Sequence, residues 1–253
     1  MDFTNKIALI TGAGSEKGIG KATALQLSRR GAVVILADVN EEGTHQIAEE
    51  IVNDGGKAEG IKLDVTDKDE IDEKVTALID KYKKIDILVN NAGISRPTRV
   101  LDISQEEWEM VFNINMKGLF LLTQAVLVQM KENQYGRVIN LSSVSGKRGG
   151  GIFGGSHYSA AKAAVTGFTK AIAREMAEFN ITCNTVAPGL VGGTNITGGL
   201  LTEEAEQKII QDIPLKRVGN VEDIAYSIAF LASEGAGYIT GEELDINGGS
   251  HID

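Results

Sequence analysis

Cysteine is almost missing from the chain: its 253 residues contain one, Cys183. A lone thiol cannot close an internal disulfide, so the fold must rest on its core. The setting "NITCNTVAPG" reads as a buried strand, which fits a reducing compartment, the cytoplasm. Histidine is nearly as scarce. His45, His157 and His251 stand far apart without Cys or carboxylate partners at ligand spacing, so no metal is expected. Basic residues are outnumbered 35 to 25, and the formal net charge of −10 argues against nucleic acid as the main partner. No uninterrupted run of about 18 apolar residues is present, so no membrane span is expected. The opening "MDFTNKIALI" lacks the basic segment, apolar core and cleavage site of a secretory leader. What remains is ordinary globular composition, 42% hydrophobic and 24% charged, suited to one large α/β domain over residues 1–253.

Short β-rich runs alternate with helical ones along the chain. Strands are expected at 6–11, 32–38, 57–65, 85–90, 136–142, 181–188 and 243–246. Several are almost continuously apolar, as strands buried on both faces must be. Amphipathic segments lie between and after them at 18–30, 41–54, 67–83, 104–132, 157–179, 203–211 and 221–232. The alternation predicts a doubly wound parallel sheet of Rossmann type, about seven strands with helices on both faces. Such sheets bind ligands at the carboxyl ends of their strands. Two glycine-rich stretches, 146–156 and 189–200, are expected as irregular loops there.

The first strand runs into "TGAGSEKGIGKATA". Gly12, Gly18 and Gly20, with Ile19 opening the helix, would let backbone approach a pyrophosphate at the helix's positive end. Asp38 closes the second strand about 20 residues on, where a carboxylate can take both adenosine ribose hydroxyls. Asp64 and Val65 close the third strand. Asp64 either flanks an adenine or serves as a cap or turn residue. At the end of strand four, Asn91, Ala92 and Gly93 leave room for a flat ligand, with Asn90 and Asn91 tying neighbouring loops together. Strand five ends at Ser142 and Ser143. In "GGSHYSAAKAAVTGF" the two large polar groups, Tyr158 and Lys162, are four residues apart, on one helix face. Small residues around them leave space for something to lie close. A bare Tyr–Lys pair is commonly a solvated surface pair. Convergence with Ser143 beside a dinucleotide loop makes catalysis the better reading.

These motifs, together with Asn115 in "NINMKG", "PG" at Pro188–Gly189 and "INGG" at 246–249, resemble the short-chain dehydrogenase/reductase family over essentially the whole chain. The resemblance implies metal-free, NAD(P)-dependent interconversion of an alcohol and a ketone. It implies that Ser143, Tyr158, Lys162 and Asn115 are the catalytic four, Asn115 holding a water that links Lys162 to solvent. It also implies a homotetramer built partly on helices 104–132 and 157–179. Two stretches depart from the family pattern, the glycine loop and the Ser143–Tyr158 connection, each longer by about two residues.

A free tyrosine is too weakly acidic to act as a base at neutral pH. An ammonium about 4–5 Å away, at an effective dielectric near 20, is worth about 3–4 kcal/mol, so Lys162, helped by the positive nicotinamide of NAD⁺, is expected to draw the Tyr158 pKa down. Ser143 would hold the substrate oxygen. His157, about 100° round the helix from Tyr158, is expected to be a terminal helix residue rather than a second acid. Asp38 favours NAD over NADP, against a weaker pull from Lys17. The main expectation is an NAD-dependent enzyme for a small secondary alcohol or ketone. Thr194, Asn195 and Thr197 lean towards a polyol or sugar. The alternative is a 3-oxoacyl-[acyl-carrier-protein] reductase, for which Gln134 and Phe179 stand where basic docking residues are expected. A nucleotide-binding regulator without turnover is the remote third reading, and the complete Ser–Tyr–Lys set counts against it. Residues 189–212 are expected to form a lid over the substrate.

Overall fold

The computed structural model describes residues 1–150, 154–194, 196 and 202–253. Among the described residues, seven strands form one parallel sheet: β1 (Ile7–Thr11), β2 (Val33–Asp38), β3 (Lys57–Lys62), β4 (Ile87–Asn90), β5 (Gly136–Leu141), β6 (Ile181–Pro188) and β7 (Glu243–Ile246), in the order β3-β2-β1-β4-β5-β6-β7. The chain winds outward first through β2 and β3, then returns to place β4 on the other side of β1. That reversal opens a crevice at the carboxyl ends of β1 and β4, where doubly wound sheets bind their ligands.

The helices are α1 (Ile19–Ser28), α2 (Glu41–Asn53), α3 (Lys68–Tyr82), α4 (Gln105–Phe112), α5 (Leu119–Glu132), α6 (Val144–Arg148), α7 (Ser156–Met176), α8 (Glu203–Asp212) and α9 (Val221–Ala232). Alternation along β1 divides the core. Ala8 and Ile10 face a layer with Leu27 of α1, Ile47 and Ile51 of α2 and Ile228 of α9. Ile7 and Leu9 face the opposite layer, with Ile71 and Val75 of α3, Val126 and Met130 of α5 and Ile172 of α7. Helix starts follow local chemistry. Asn40, Asp67, Ser104 and Asn220 each accept hydrogen bonds from the first turn of α2, α3, α4 and α9.

The structure departs from the sequence reading in four places. β3 stops at Lys62, because the Asp64 carboxylate takes the Thr66 N–H and hydroxyl, both at 2.8 Å, and turns the chain away. The helix expected over 104–132 is two helices joined by a widened turn at Asn113–Gly118. The stretch from 146, expected as a loop, begins inside α6. Among the described residues, the run Gln105–Glu132 is long and apolar enough to cross a membrane by length and composition. Its inner face, including Leu122, Val126 and Met130, belongs to the core, whereas Trp108, Phe120 and Val128 lie on the surface.

Candidate active site

The β1–β2 side of the crevice is built from backbone brought unusually close. Gly12 has φ +64°, and a Cβ on it would lie 2.8 Å from the Ala92 Cα. A Cβ on Gly20 would meet the Gly12 carbonyl at 2.6 Å. Glycine is therefore required at both positions. The lengthened part of the loop is absorbed by a turn over residues 15–18, closed by the Gly18 N–H on the Ser15 carbonyl at 3.0 Å. It leaves the start of α1 bare: Gly18 offers no side-chain cap, and the first turn carries no acid. Its N–H groups and positive dipole end are thus left to an anion from outside the helix, which is what a pyrophosphate supplies.

Asp38 stands beside this loop. Its Oδ2 accepts the Gly14 N–H at 2.9 Å and its Oδ1 the Asn40 N–H at 3.0 Å. Asn40 in turn donates to the Gly14 carbonyl at 2.9 Å while capping α2. The adjoining cavity, about 490 Å³, is lined by Glu16, Asp38 and Glu42 among others, with no basic side chain in its wall. Thr11, which sequence reasoning missed, locks the crevice: its hydroxyl accepts the N–H groups of Asn91 and Ala92, both at 3.1 Å. The Asn91 amide answers by donating to the Thr11 and Gly12 carbonyls, both at 2.9 Å. Asn90 points elsewhere, into a buried network with Asn140 and Thr123, each at 2.8 Å.

Tyr158 and Lys162 share one face of α7 and are both buried, as expected from their spacing. Lys162 Nζ donates to the Leu141 carbonyl at the end of β5 at 2.7 Å and lies 5.9 Å from the centre of the Tyr158 ring. A Cβ on Gly93 would lie 2.6 Å from Asn115 Oδ1 and 3.4 Å from Lys162 Nζ, so these three groups meet around one small space. Asn115 occupies the widened turn and donates to the Val111 and Ile94 carbonyls at 2.9 and 3.0 Å. Its Oδ1 is buried with no partner among the described residues. An orphaned acceptor facing an ammonium is the setting in which a bridging water is held. Ser143 faces Tyr158, and its hydroxyl oxygen caps α6 by accepting the Ser145 N–H at 3.2 Å. That bond leaves the Ser143 proton free to be donated.

The electrostatics correct one expectation. Burial raises the Tyr158 hydroxyl above its ordinary range, and the Ser143 hydrogen bond is the influence acting to lower it. Burial also pushes Lys162 down to about 8. The Lys162 ammonium is held by the Leu141 carbonyl. Burial thus works against both charged forms, the phenolate and the ammonium.

The remaining sequence candidates divide. Pro188 and Gly189 end β6 at the same carboxyl edge, the Gly189 N–H on the Ile246 carbonyl at 2.9 Å. Asp64 takes the turn role, and Val65 is buried against Gly118. His157 is fully buried and pairs with Glu107 of α4 at 2.9 Å. Asn195, Thr197 and residues 198–201 of the expected lid lie outside the described residues, as do 151–153 of the other glycine stretch. Ser142 has a part the sequence did not disclose: its hydroxyl donates to the Lys162 carbonyl at 2.9 Å and fixes α7 on β5.

Comparison with known proteins bears on this arrangement directly. The model of a family described as Enoyl-(Acyl carrier protein) reductase matches residues 12–251. An uncharacterized short-chain type dehydrogenase/reductase of Sinorhizobium fredii is 41% identical over 253 residues, 100% of both chains. A 3-oxoacyl-[acyl-carrier-protein] reductase of Thermotoga maritima is 42% identical over 249 residues, covering 98% of this chain and 99% of that one. Its namesake in Escherichia coli is 40% identical over 252 residues, 100% of both.

Proposed function

The chain is a short-chain dehydrogenase/reductase, and from that premise we propose that it reduces the 3-oxo group of an acyl thioester with NADH. The meeting of the buried Tyr158 hydroxyl with Ser143, in a chain similar to reductases over its whole length, carries the reading. Reduction of a ketone needs an acid at the carbonyl oxygen, and the resting site presents one. The likeness to 3-oxoacyl-[acyl-carrier-protein] reductases supports this substrate class over the polyol or sugar suggested by residues 194–197.

The residues divide the work. The bare N-terminus of α1 and the Gly12–Gly20 turn receive the pyrophosphate, and Asp38 receives the adenosine ribose. The nicotinamide cofactor supplies the hydride. Ser143 donates a hydrogen bond to the substrate oxygen, keeping its own proton, and stabilises the charge developing there. Tyr158 gives up its proton to that oxygen. Lys162, with Asn115 Oδ1 facing it, is placed to restore the proton through the small space at Gly93. The acid-lined cavity beside Asp38 supports NADH, because a 2′-phosphate carrying about −1.5 to −2 charge would meet the carboxylates of Glu16, Asp38 and Glu42.

At the positions where carrier docking calls for basic side chains, Gln134 is exposed and Phe179 is covered by the Lys131 ammonium, 4.5 Å from its ring centre. The thioester chemistry is therefore proposed without commitment of this surface to a carrier protein. Helices α4, α5 and α7 supply the assembly face of the proposed cytoplasmic homotetramer, with Trp108, Phe120 and Val128 of its apolar surface exposed in the single chain. The test is NADH oxidation with acetoacetyl-coenzyme A and with a 3-oxoacyl carrier protein, set against NADH formation from polyols, sugars, hydroxy acids and hydroxysteroids. Turnover of either thioester at a rate well above the alcohols supports the reading. Turnover confined to a polyol or sugar would replace it.

A further inference from the structure

Directly after Ser143 the chain forms α6, only five residues long. A helix of that length does not persist by itself in water, so its place is set by what it touches. On one side it lies against α7: a Cβ on Gly146 would come within 2.9 Å of the Lys162 carbonyl carbon and the Ala163 nitrogen. On the other side Lys147 reaches out to β7 and the segment beyond it. Its ammonium lies 2.6 Å from Asp253, 2.8 Å from Asp245 and 3.9 Å from Glu243, with the side chain only 13% exposed. Glu243 also accepts the Thr166 hydroxyl of α7 at 2.8 Å, which closes the frame. Arg148 adds a bond to the Ser250 carbonyl at 3.2 Å. The seat of α6 matters because the Ser143 oxygen accepts the Ser145 N–H of this same helix, and that bond decides where the Ser143 proton points.

We propose that Lys147 is a positioning residue for the reaction: by clamping α6 to β7 and to residues 250–253, it holds the Ser143 hydroxyl on Tyr158 and the substrate oxygen. It acts through α6, not on the substrate. The proposal rests on Ser143 and Tyr158 working together as described above.

NMR of the whole protein carrying ring-labelled tyrosine, compared with its Tyr158→Phe counterpart, follows the Tyr158 titration without any substrate. Ser143→Ala should move that titration to higher pH, because a hydrogen bond that favours the phenolate is lost. Lys147→Met should move it the same way by about half to one pH unit. It should also lower kcat with acetoacetyl-coenzyme A about tenfold, with KM for NADH unchanged. Lys147→Arg keeps charge and reach and should restore both. An unmoved Tyr158 in Lys147→Met, with Ser143→Ala displaced, overturns the proposal and leaves the reading of the site standing. An unmoved Tyr158 in Ser143→Ala overturns that reading instead. Should Lys147→Met fail to fold, Asp245→Asn puts the same question from the other end of the clamp, and an unmoved titration there again overturns it.

Discussion

Along the carboxyl edge of the sheet, the β1–β2 side prepares its ligand contacts with main chain, and the β5–α7 side prepares its own with buried side chains. On the first side the decisive features are a left-handed Gly12, a helix start with no cap and an aspartate held between two backbone N–H groups. On the second they are Tyr158, Lys162 and Asn115, each withdrawn from water. The difference is one of physical cause. Backbone geometry fixes position and excludes bulk, so on the proposed function the first side would govern which nucleotide is held. Burial changes proton affinity, so the second would govern whether a proton moves. Substitutions on the two sides should therefore separate binding from turnover.

The largest effect belongs to the proton. Tyr158→Phe keeps the ring and removes the transferring group, and turnover should fall by about a hundred- to ten-thousandfold. NADH affinity, measured by fluorescence titration, should change little. A variant that turns over near normally would take Tyr158 out of the chemistry. One that loses NADH as well would blur the division between the two sides.

Next comes the choice of nucleotide. With NADPH, Asp38 loses charge-assisted hydrogen bonds worth about 1.5–3 kcal/mol and faces added negative charge. Lys17 is exposed, where an ion pair offsets only about 0–1 kcal/mol. The balance of about 2–3 kcal/mol predicts about 30- to 150-fold tighter binding of NADH. Parallel titrations with NADH and NADPH measure it, and Asp38→Ala should narrow the gap. Equal affinities would mean that the acidic cavity does not control selection.

The two sides also differ in how far they could be read from sequence. The strand–helix alternation, the glycine turn and the four-residue Tyr–Lys spacing follow from local periodicity, and the structure places those residues as the spacing requires. What stayed hidden depends on contacts across the fold. The Tyr158 shift was expected downward from its neighbour, but the depth of its burial and the Leu141 carbonyl that occupies Lys162 are tertiary facts. Helix α6 contains Gly146 and runs into Gly149 and Gly150, so it reads as loop; its anchors at 243–253 lie about a hundred positions downstream. Thr11 gave no signal beyond its place at a strand end.

A smaller effect tests the electrostatics of the catalytic side. Lys162, pushed down to about 8 by burial, is charged below that pH and neutral above it. Tyr158, raised by burial, stays protonated across the same range. Reduction should hold level up to about pH 8 and then fall about tenfold per pH unit as the ammonium is lost. Lys162→Arg, slower in absolute rate, should lose this limb because a guanidinium stays charged. A profile that falls at the same pH in the arginine variant would assign the limb to another group.

The smallest expected effect divides the β1–β2 side itself. Asn40 does two things: its Oδ1 caps α2 on the Gly43 N–H at 3.2 Å, and its Nδ2 ties down the Gly14 carbonyl at 2.9 Å. Asn40→Ala removes both, costing about 1 kcal/mol of helix-cap stability and leaving the Gly14 peptide freer beside Asp38. Asn40→Asp keeps the cap acceptor, removes the donor to Gly14 and sets a carboxylate oxygen against its carbonyl in the acidic cavity. Its Tm should stay close to that of the parent chain, while NADH affinity falls about three- to tenfold, as it does in Asn40→Ala. Thermal melts and NADH titrations of the two variants give the comparison. If Asn40→Asp binds NADH as tightly as the parent and only Asn40→Ala weakens it, the effect lies in the α2 cap. The Gly14 tie would then have no part in presenting Asp38.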